Sequence, residues 1–134
     1  MLENSKHIII IGAGIAGLTA ALSLRHFGIR TSIYERSPKI ISAGAGIQLS
    51  PNANRVLSRI GVLKEISSVS IRCHGVKVFD YKSNQQLALF DYMKFKGNDL
   101  FYFCHRADLV GILYAACQKL EIPVYFNKKV EKIV

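Results

Sequence analysis

The chain has 134 residues, enough for one ordinary domain. Half of them are apolar and 20% are charged, so the chain can form a hydrophobic core and is not a disordered segment. Lys and Arg number 18 against 9 Asp and Glu. The resulting formal net charge of +9 suits a nucleic acid, an anionic lipid or a phosphorylated ligand.

Two further features bear on the compartment of the protein. Three cysteines without a C-x-x-C spacing argue against a disulfide framework and a zinc site. The apolar run 7–24 imitates a signal peptide, but it is shorter than a spanning helix of about 20 residues and contains three glycines. We therefore expect a cytoplasmic protein without a membrane span.

The first third of the chain predicts a βαβ unit within residues 1–36. Residues 8–11 are four isoleucines, typical of a buried parallel strand. Residues 14–27 have a helical apolar pattern that ends at Gly28, a residue type that favours helix C-termini. Residues 31–34 predict the second strand.

The remainder predicts a mixture of strands and helices. Residues 47–49 predict a short strand. Ser50-Pro51 predict the start of a helix that would turn Val56, Leu57 and Ile60 inward. Alternating apolar residues on both sides of Ser83-Asn84 predict a hairpin.

The last part of the chain predicts one more helix and two short strands. The helix covers residues 107–119 and buries Leu109, Val110, Leu113 and Cys117. Pro123 follows it, and strands at 124–126 and 130–134 end the chain.

Residues 12–17 have the pattern G-x-G-x-x-G directly after a strand and at the start of a helix. There, Gly12 allows a sharp turn, Gly14 allows the backbone to approach a pyrophosphate, and Gly17 allows the helix to pack closely on the strand. The helix N-terminus offers unpaired N–H groups and a partial positive charge to phosphates. Glu35, 23 residues after Gly12, is placed to accept hydrogen bonds from a ribose diol and would repel a ribose 2′-phosphate. The pattern predicts dinucleotide binding, and by itself it leaves NAD and FAD open.

Three motifs in this order resemble one family over nearly the whole chain. Residues 12–36, 44–53 and 105–109 are similar to the N-terminal part of the single-component FAD-dependent aromatic hydroxylases, the family of salicylate and para-hydroxybenzoate hydroxylases. The resemblance implies an α/β fold with a Rossmann-like FAD-binding βαβ unit and an additional β-hairpin or meander. Residues 1–134 would be the N-terminal portion of the FAD-binding domain, and the fold would be incomplete relative to the full family fold.

The resemblance also implies a set of cofactor contacts. Glu35 would hold the adenosine ribose with Arg36 beside it, Arg106 would reach the ribityl–pyrophosphate region, and Gly46 would lie near the flavin end. A backbone group near Val130 would contact adenine. The implied FAD-binding residues are Gly12, Ala13, Gly14, Ile15, Ala16, Gly17, Glu35, Arg36, Gly46 and Arg106. No catalytic residue and no metal site is implied within the chain.

The family reaction would be hydroxylation of a small aromatic substrate with NADH or NADPH and O₂. Strands at about 75–104 would border the flavin and the substrate. The later Gly-Asp and Asp-Gly motifs of the family do not occur here, so we expect that this chain alone does not complete a catalytic cycle. An exposed sheet edge would favour self-association.

Two alternatives from other functional classes stay open at the level of the sequence. A fragment of an NAD-dependent dehydrogenase would explain the glycine pattern and Glu35, but not the motifs at 44–53 and 105–109. A basic nucleic-acid-binding module would use the aromatic and basic residues between Tyr81 and Arg106 to stack bases, although no basic helix or ribbon occurs. The preferred prediction involves no nucleic acid.

Overall fold

The computed structural model describes residues 7–40, 44–94 and 100–132. Predicted features at residues 1–6, 41–43, 95–99 and 133–134 lie outside the described residues. In chain order the elements are β1 (His7–Ile11), α1 (Ile15–His26), β2 (Arg30–Tyr34), β3 (Gly46–Leu49), α2 (Pro51–Arg59), α3 (Leu63–Ser68), β4 (Ile71–Cys73), β5 (Gly75–Phe79), β6 (Gln86–Asp91), β7 (Phe101–His105), α4 (Arg106–Lys119) and β8 (Val124–Tyr125).

The predicted βαβ unit is confirmed. β1 and β2 pair in parallel, β8 joins β2 from the other side, and the strand order is β1-β2-β8. α1 packs against β2 and ends at His26, and Gly28 follows with a φ of +74°. α4 packs against α1, and the Cys117 thiol lies 3.8 Å from the Leu18 carbonyl oxygen. Both helices belong to one hydrophobic core.

The prediction that residues 8–11 form a buried strand is wrong as to burial, although the strand itself is present. Ile10 packs against the core, but the alternate residues Ile9 and Ile11 are 60% and 55% exposed. β1 is an edge strand within the described residues, because it pairs with β2 alone. Four β-branched residues predict a strand correctly, but the burial of that strand depends on neighbours that the local sequence does not contain.

A second sheet has the antiparallel order β3-β7-β4. α2 begins at Pro51 after the N-cap residue Ser50, as predicted, although the Ser50 side chain makes no capping hydrogen bond in the structure. The predicted inward position of Val56 is wrong, since Val56 is 43% exposed. The buried residues of α2 are Leu57 and Asn54, whose amide donates to the Leu100 carbonyl at 2.6 Å.

The predicted hairpin and the predicted last helix are confirmed. β5 and β6 pair antiparallel around the turn that contains Ser83-Asn84, and they form a separate two-stranded sheet within the described residues. α4 buries the four predicted residues Leu109, Val110, Leu113 and Cys117. The strand predicted at 130–134 is not formed at 130–132, and its last two positions lie outside the described residues.

The three cysteines are buried and unpaired. Burial raises the pKa of the Cys117 thiol to about 11, so this thiol stays protonated near neutral pH. Among the described residues, no helix combines the length and the apolar character that crossing a membrane requires.

Candidate dinucleotide-binding site

The glycine-rich turn joins the end of β1 to the start of α1. Gly12 has a φ of +97°, a conformation that residues with a Cβ atom rarely adopt. Its N–H donates to the Tyr34 carbonyl at 2.8 Å, which fixes the turn against the end of β2. α1 begins at Ile15, with Gly14 as its extended N-cap residue.

The two other glycines of the turn meet different surroundings. A Cβ atom on Gly17 would lie 1.9 Å from the Gly12 carbonyl oxygen and 3.3 Å from Cγ2 of Ile10. A Cβ atom on Gly14 would meet nothing within 4 Å. Gly17 is therefore required for the close approach of α1 to the turn, whereas Gly14 faces open space.

The first turn of α1 presents free N–H groups. Gly12 and Ala13 donate to the end of β2, and the first intrahelical bond runs from the Leu18 N–H to the Gly14 carbonyl at 3.0 Å. Within the described residues, the N–H groups of residues 14–17 have no hydrogen-bond acceptor. Together with the positive end of the helix dipole, they form a binding surface for an anion.

Glu35 follows β2 and turns its carboxylate toward the glycine-rich turn. Oε2 accepts the Ala13 N–H and Oε1 accepts the Ser37 N–H, both at 2.8 Å. These two backbone hydrogen bonds hold the pKa of the Glu35 carboxyl below its ordinary value of 4.5, and the bond from Ser37 has the larger effect. The positive charge of Arg36 lowers the pKa by a smaller amount. Glu35 is ionised at neutral pH.

A cavity of about 230 Å³, here called the loop cavity, lies between the start of α1 and the start of α4. It is lined by Ala13, Gly14, Glu35, Arg36, Ser37, Lys39, Ile40, Arg106 and Val110. Among these residues are three cations and one carboxylate, so the loop cavity suits a ligand with both a polyhydroxyl group and a negative charge.

Arg106 enters the loop cavity from the first position of α4. The backbone N–H of Arg106 donates to the Ala45 carbonyl at 3.3 Å, which extends the pairing between β3 and β7 by one more hydrogen bond. A Cβ atom on Gly44 would lie 2.9 Å from Cδ of Arg106, so the arginine stem lies directly over the Gly44 backbone. The segment before β3 thus supports the side chain that faces the loop cavity.

A second cavity of about 280 Å³, the strand-end cavity, lies on the other side of Glu35. Glu35 and Arg36 line both cavities. The remaining lining residues are Ile11, Gly12, Tyr34, Lys128, Lys129 and Val130. The Lys128 N–H donates to the Glu35 carbonyl at 2.8 Å, which brings the segment after β8 to the site.

The structure brings nine of the ten predicted residues together. Gly12, Ala13, Gly14, Glu35, Arg36 and Arg106 line the two cavities, and residues 15–17 form the adjoining first turn of α1. Gly46 stands apart from both linings, as the first residue of β3 opposite His105. The residue roles implied by the resemblance stay predictions.

Sequence reasoning missed several residues that line the loop cavity. Val110 lies one helical turn after Arg106, so the i, i+4 spacing could have indicated it. Ser37, Lys39 and Ile40 belong to the loop after β2, whose path depends on hydrogen bonds such as that from the Asn127 N–H to the Ser37 carbonyl at 3.1 Å. No local sequence signal predicts this contact.

The described residues contain no group of three or more His, Cys, Asp or Glu side chains that could hold a metal ion.

Comparison with known proteins gives the family of the chain. Residues 5–134 match the family described as "FAD binding domain". The chain is 35% identical over 112 residues to 3-amino-4-hydroxybenzoate 2-monooxygenase of Streptomyces cremeus, covering 81% of this chain and 28% of that protein. It is also 35% identical over 118 residues to 3-hydroxybenzoate 6-hydroxylase 1 of Aquipseudomonas alcaligenes, covering 85% and 30%.

A solved structure extends the comparison to the fold. The crystal structure of CtdE in complex with FAD and a substrate superposes with a TM-score of 0.78 at 28% identity, covering 92% of this chain and 30% of that one. The site and the comparisons define an α/β dinucleotide-binding fold of the flavoprotein type. The chain belongs to the family of FAD binding domains found in FAD-dependent aromatic hydroxylases, and FAD is its cofactor.

The resemblance stated from the three sequence motifs is thereby confirmed, and so is the choice of FAD over NAD. The chain spans about 30% of the length of the relatives named above.

Proposed function

We propose that this chain binds FAD in extended form, with the diphosphate at the start of α1 and the adenosine ribose at Glu35. The observation that carries this proposal is the row of free N–H groups at residues 14–17 beside an ionised carboxylate. The free N–H groups suit an anion such as a diphosphate, and the carboxylate suits a ribose diol. Both features border the loop cavity.

The cations of the loop cavity support the placement of the diphosphate. Arg106 offers a rigid fork of donors from a helix start that already favours anions. Arg36 lies between the two cavities, where it can reach a group that passes from one to the other. We place the adenine in the strand-end cavity near Val130 and the flavin beyond Arg106.

We further propose that the protein is part of a flavoprotein that hydroxylates a small aromatic compound. The two relatives are named for such reactions on hydroxybenzoates. When bound, FAD would supply the redox chemistry, taking electrons from NADH or NADPH and passing an oxygen atom from O₂ to the aromatic ring. The residues of this chain bind and orient the cofactor, and the strands β5, β6 and β7 would border the flavin and the substrate.

We propose no acid, base or nucleophile among the side chains of this chain. Three of the histidines lie at separate ends of β1, α1 and β7, and His74 lies between β4 and β5. Because the four histidines lie in separate segments of the fold, they do not form a catalytic group among the described residues, which supports a cofactor-binding role for this part of the protein.

Gly14→Ala tests the diphosphate position without disturbing the core. Gly14 has a φ of −81°, which alanine tolerates, and the added Cβ atom would project into open space at the loop cavity. We expect the affinity for FAD to fall at least about tenfold, since the methyl group stands where the phosphates approach. The free energy of unfolding should change by only about 1 kcal/mol.

The measurement is a flavin fluorescence titration, together with chemical denaturation of each variant. Gly111→Ala in α4 is the matched control, because its Cβ atom also meets nothing within 4 Å and it lies outside both cavities. Unchanged affinity of Gly14→Ala would place the diphosphate elsewhere.

We also propose that the 134-residue chain associates with itself through β1. The exposed residues Ile9 and Ile11 line an apolar cavity of about 380 Å³ together with Tyr34 of β2, so the cavity lies on a face of the sheet. Within the described residues, the edge of β1 that faces away from β2 is unpaired, so an exposed apolar face and a free edge occur on the same strand. Light scattering should give an average mass that rises with concentration above the 14.9 kDa of the monomer. Ile9→Lys should reduce this association, whereas Ile71→Lys on β4, 73% exposed, should not. A monomer at all concentrations would contradict the proposal.

A further inference from the structure

Glu35 connects two backbone segments that are distant in sequence. Its Oε2 accepts the N–H of Ala13 in the glycine-rich turn, 22 residues earlier, and its Oε1 accepts the N–H of Ser37, both at 2.8 Å. The only other hydrogen bond from the turn to β2 within the described residues runs from Gly12 to the Tyr34 carbonyl. Tyr34 and Glu35, at the end of β2 and directly after it, thus hold the turn through the backbone N–H groups of Gly12 and Ala13.

We propose that Glu35 is a positioning residue for the glycine-rich turn, in addition to the ribose contact on which the proposed function relies. By accepting the Ala13 N–H, its carboxylate holds the turn in the conformation in which the N–H groups of residues 14–17 have no acceptor among the described residues. The turn is then ordered before a phosphate arrives. This inference deepens the proposed function and rests on it only for the identity of the ligand.

The two roles of Glu35 are compatible. An ionised carboxylate has about four acceptor positions on its two oxygens, and the two backbone N–H groups use one on each oxygen. The remaining positions can accept ribose hydroxyls. A glutamine has one acceptor oxygen, and its NH₂ group would face the second backbone N–H. Gln at position 35 would therefore lose at least one of the two backbone contacts.

The charged side chains that line the two cavities with Glu35 are cations, and among them Arg36 lowers the pKa of the Glu35 carboxyl. Arg36 and Lys39 follow β2, Arg106 begins α4, and all three line the loop cavity with Glu35. Lys128 and Lys129, after β8, line the strand-end cavity together with Tyr34. Glu35 is the only carboxylate among the described residues of both linings.

The first test is an NMR pH titration of the isotope-labelled 134-residue protein without cofactor. A carboxylate bonded to both amides should make the Ala13 and Ser37 amide protons titrate together, with one apparent pKa below 4.5. Glu35→Gln should abolish both transitions, and Glu65→Gln, which removes an acid from α3, should leave them unchanged. Two amides that titrate separately, or that still titrate in Glu35→Gln, would overturn the inference.

The second test is amide hydrogen exchange of the same proteins. In Glu35→Gln, exchange at Ala13 should become about tenfold faster, because a hydrogen bond to a charged acceptor is lost. Exchange at Leu113, fully buried in α4, serves as the internal reference for global stability. Unchanged exchange at Ala13 would overturn the inference. An FAD titration of the wild-type protein decides the proposed function separately, since failure to bind FAD would overturn that function and leave the exchange result valid.

Discussion

Gly17→Ala is expected to destabilise the protein more than any other single methyl group added to the site. The new Cβ atom would lie 1.9 Å from the Gly12 carbonyl oxygen, which belongs to the backbone and cannot rotate away. α1 must then move from the turn, which separates the core residues Leu18 and Leu22 from their neighbours. We expect the free energy of unfolding to fall by about 3 kcal/mol, with Tm lower by roughly 10 °C.

The same displacement would carry the N–H groups of residues 14–17 away from the diphosphate, so FAD affinity should fall as well. Gly111→Ala is again the control, since it lies inside a helix and its Cβ atom meets nothing within 4 Å. That variant should be unchanged or more stable by up to about 1 kcal/mol. Thermal denaturation followed by circular dichroism measures both. Equal Tm values for the two alanine variants would contradict the packing described for Gly17.

Arg106→Ala is expected to weaken FAD binding by about 10- to 100-fold, the effect of losing a charge-assisted hydrogen bond to a phosphate. Arg106→Lys should be intermediate, because lysine keeps the positive charge but not the planar fork of donors. Arg72→Ala on β4 removes an exposed arginine that lines neither cavity and serves as the control.

Fluorescence titration with FAD at two salt concentrations separates charge from packing. The wild-type affinity should fall with added salt more steeply than that of Arg106→Ala, because one cation fewer faces the diphosphate. Equal affinities of the wild-type protein and Arg106→Ala at low salt would remove Arg106 from the site.

The sequence predicted what depends on local signals. The β1-α1-β2 unit, the ends of α1 and the four buried residues of α4 follow from apolar periodicity, glycine positions and the break at Pro123. The exposure of Ile9 and Ile11 could not be predicted in this way, since the sequence of a strand does not show which strands and helices will pack beside it. The inward position predicted for Val56 failed because α2 turns Asn54 to the core, where its amide bonds the Leu100 carbonyl.

The candidate site was predicted in its residues more fully than in its geometry. Spacing placed Glu35 beside the glycine-rich turn, but it could not indicate that both carboxylate oxygens accept backbone N–H groups. Those partners are main-chain atoms, which every residue type carries. The support of Arg106 by Gly44, and the approach of Lys128 to Glu35, likewise depend on tertiary packing between separate segments.

The FAD diphosphate is expected to bind the N–H groups at the start of α1. Titration of the isotope-labelled protein with FAD, followed at each backbone amide by NMR, reports this contact residue by residue. The amide protons of residues 14–17 should undergo the largest shifts, at the same FAD concentration that saturates the flavin signal. Saturable FAD binding that leaves these four amides unchanged, and instead shifts amides at the opposite end of the sheet near Arg25 and Arg30, would contradict it.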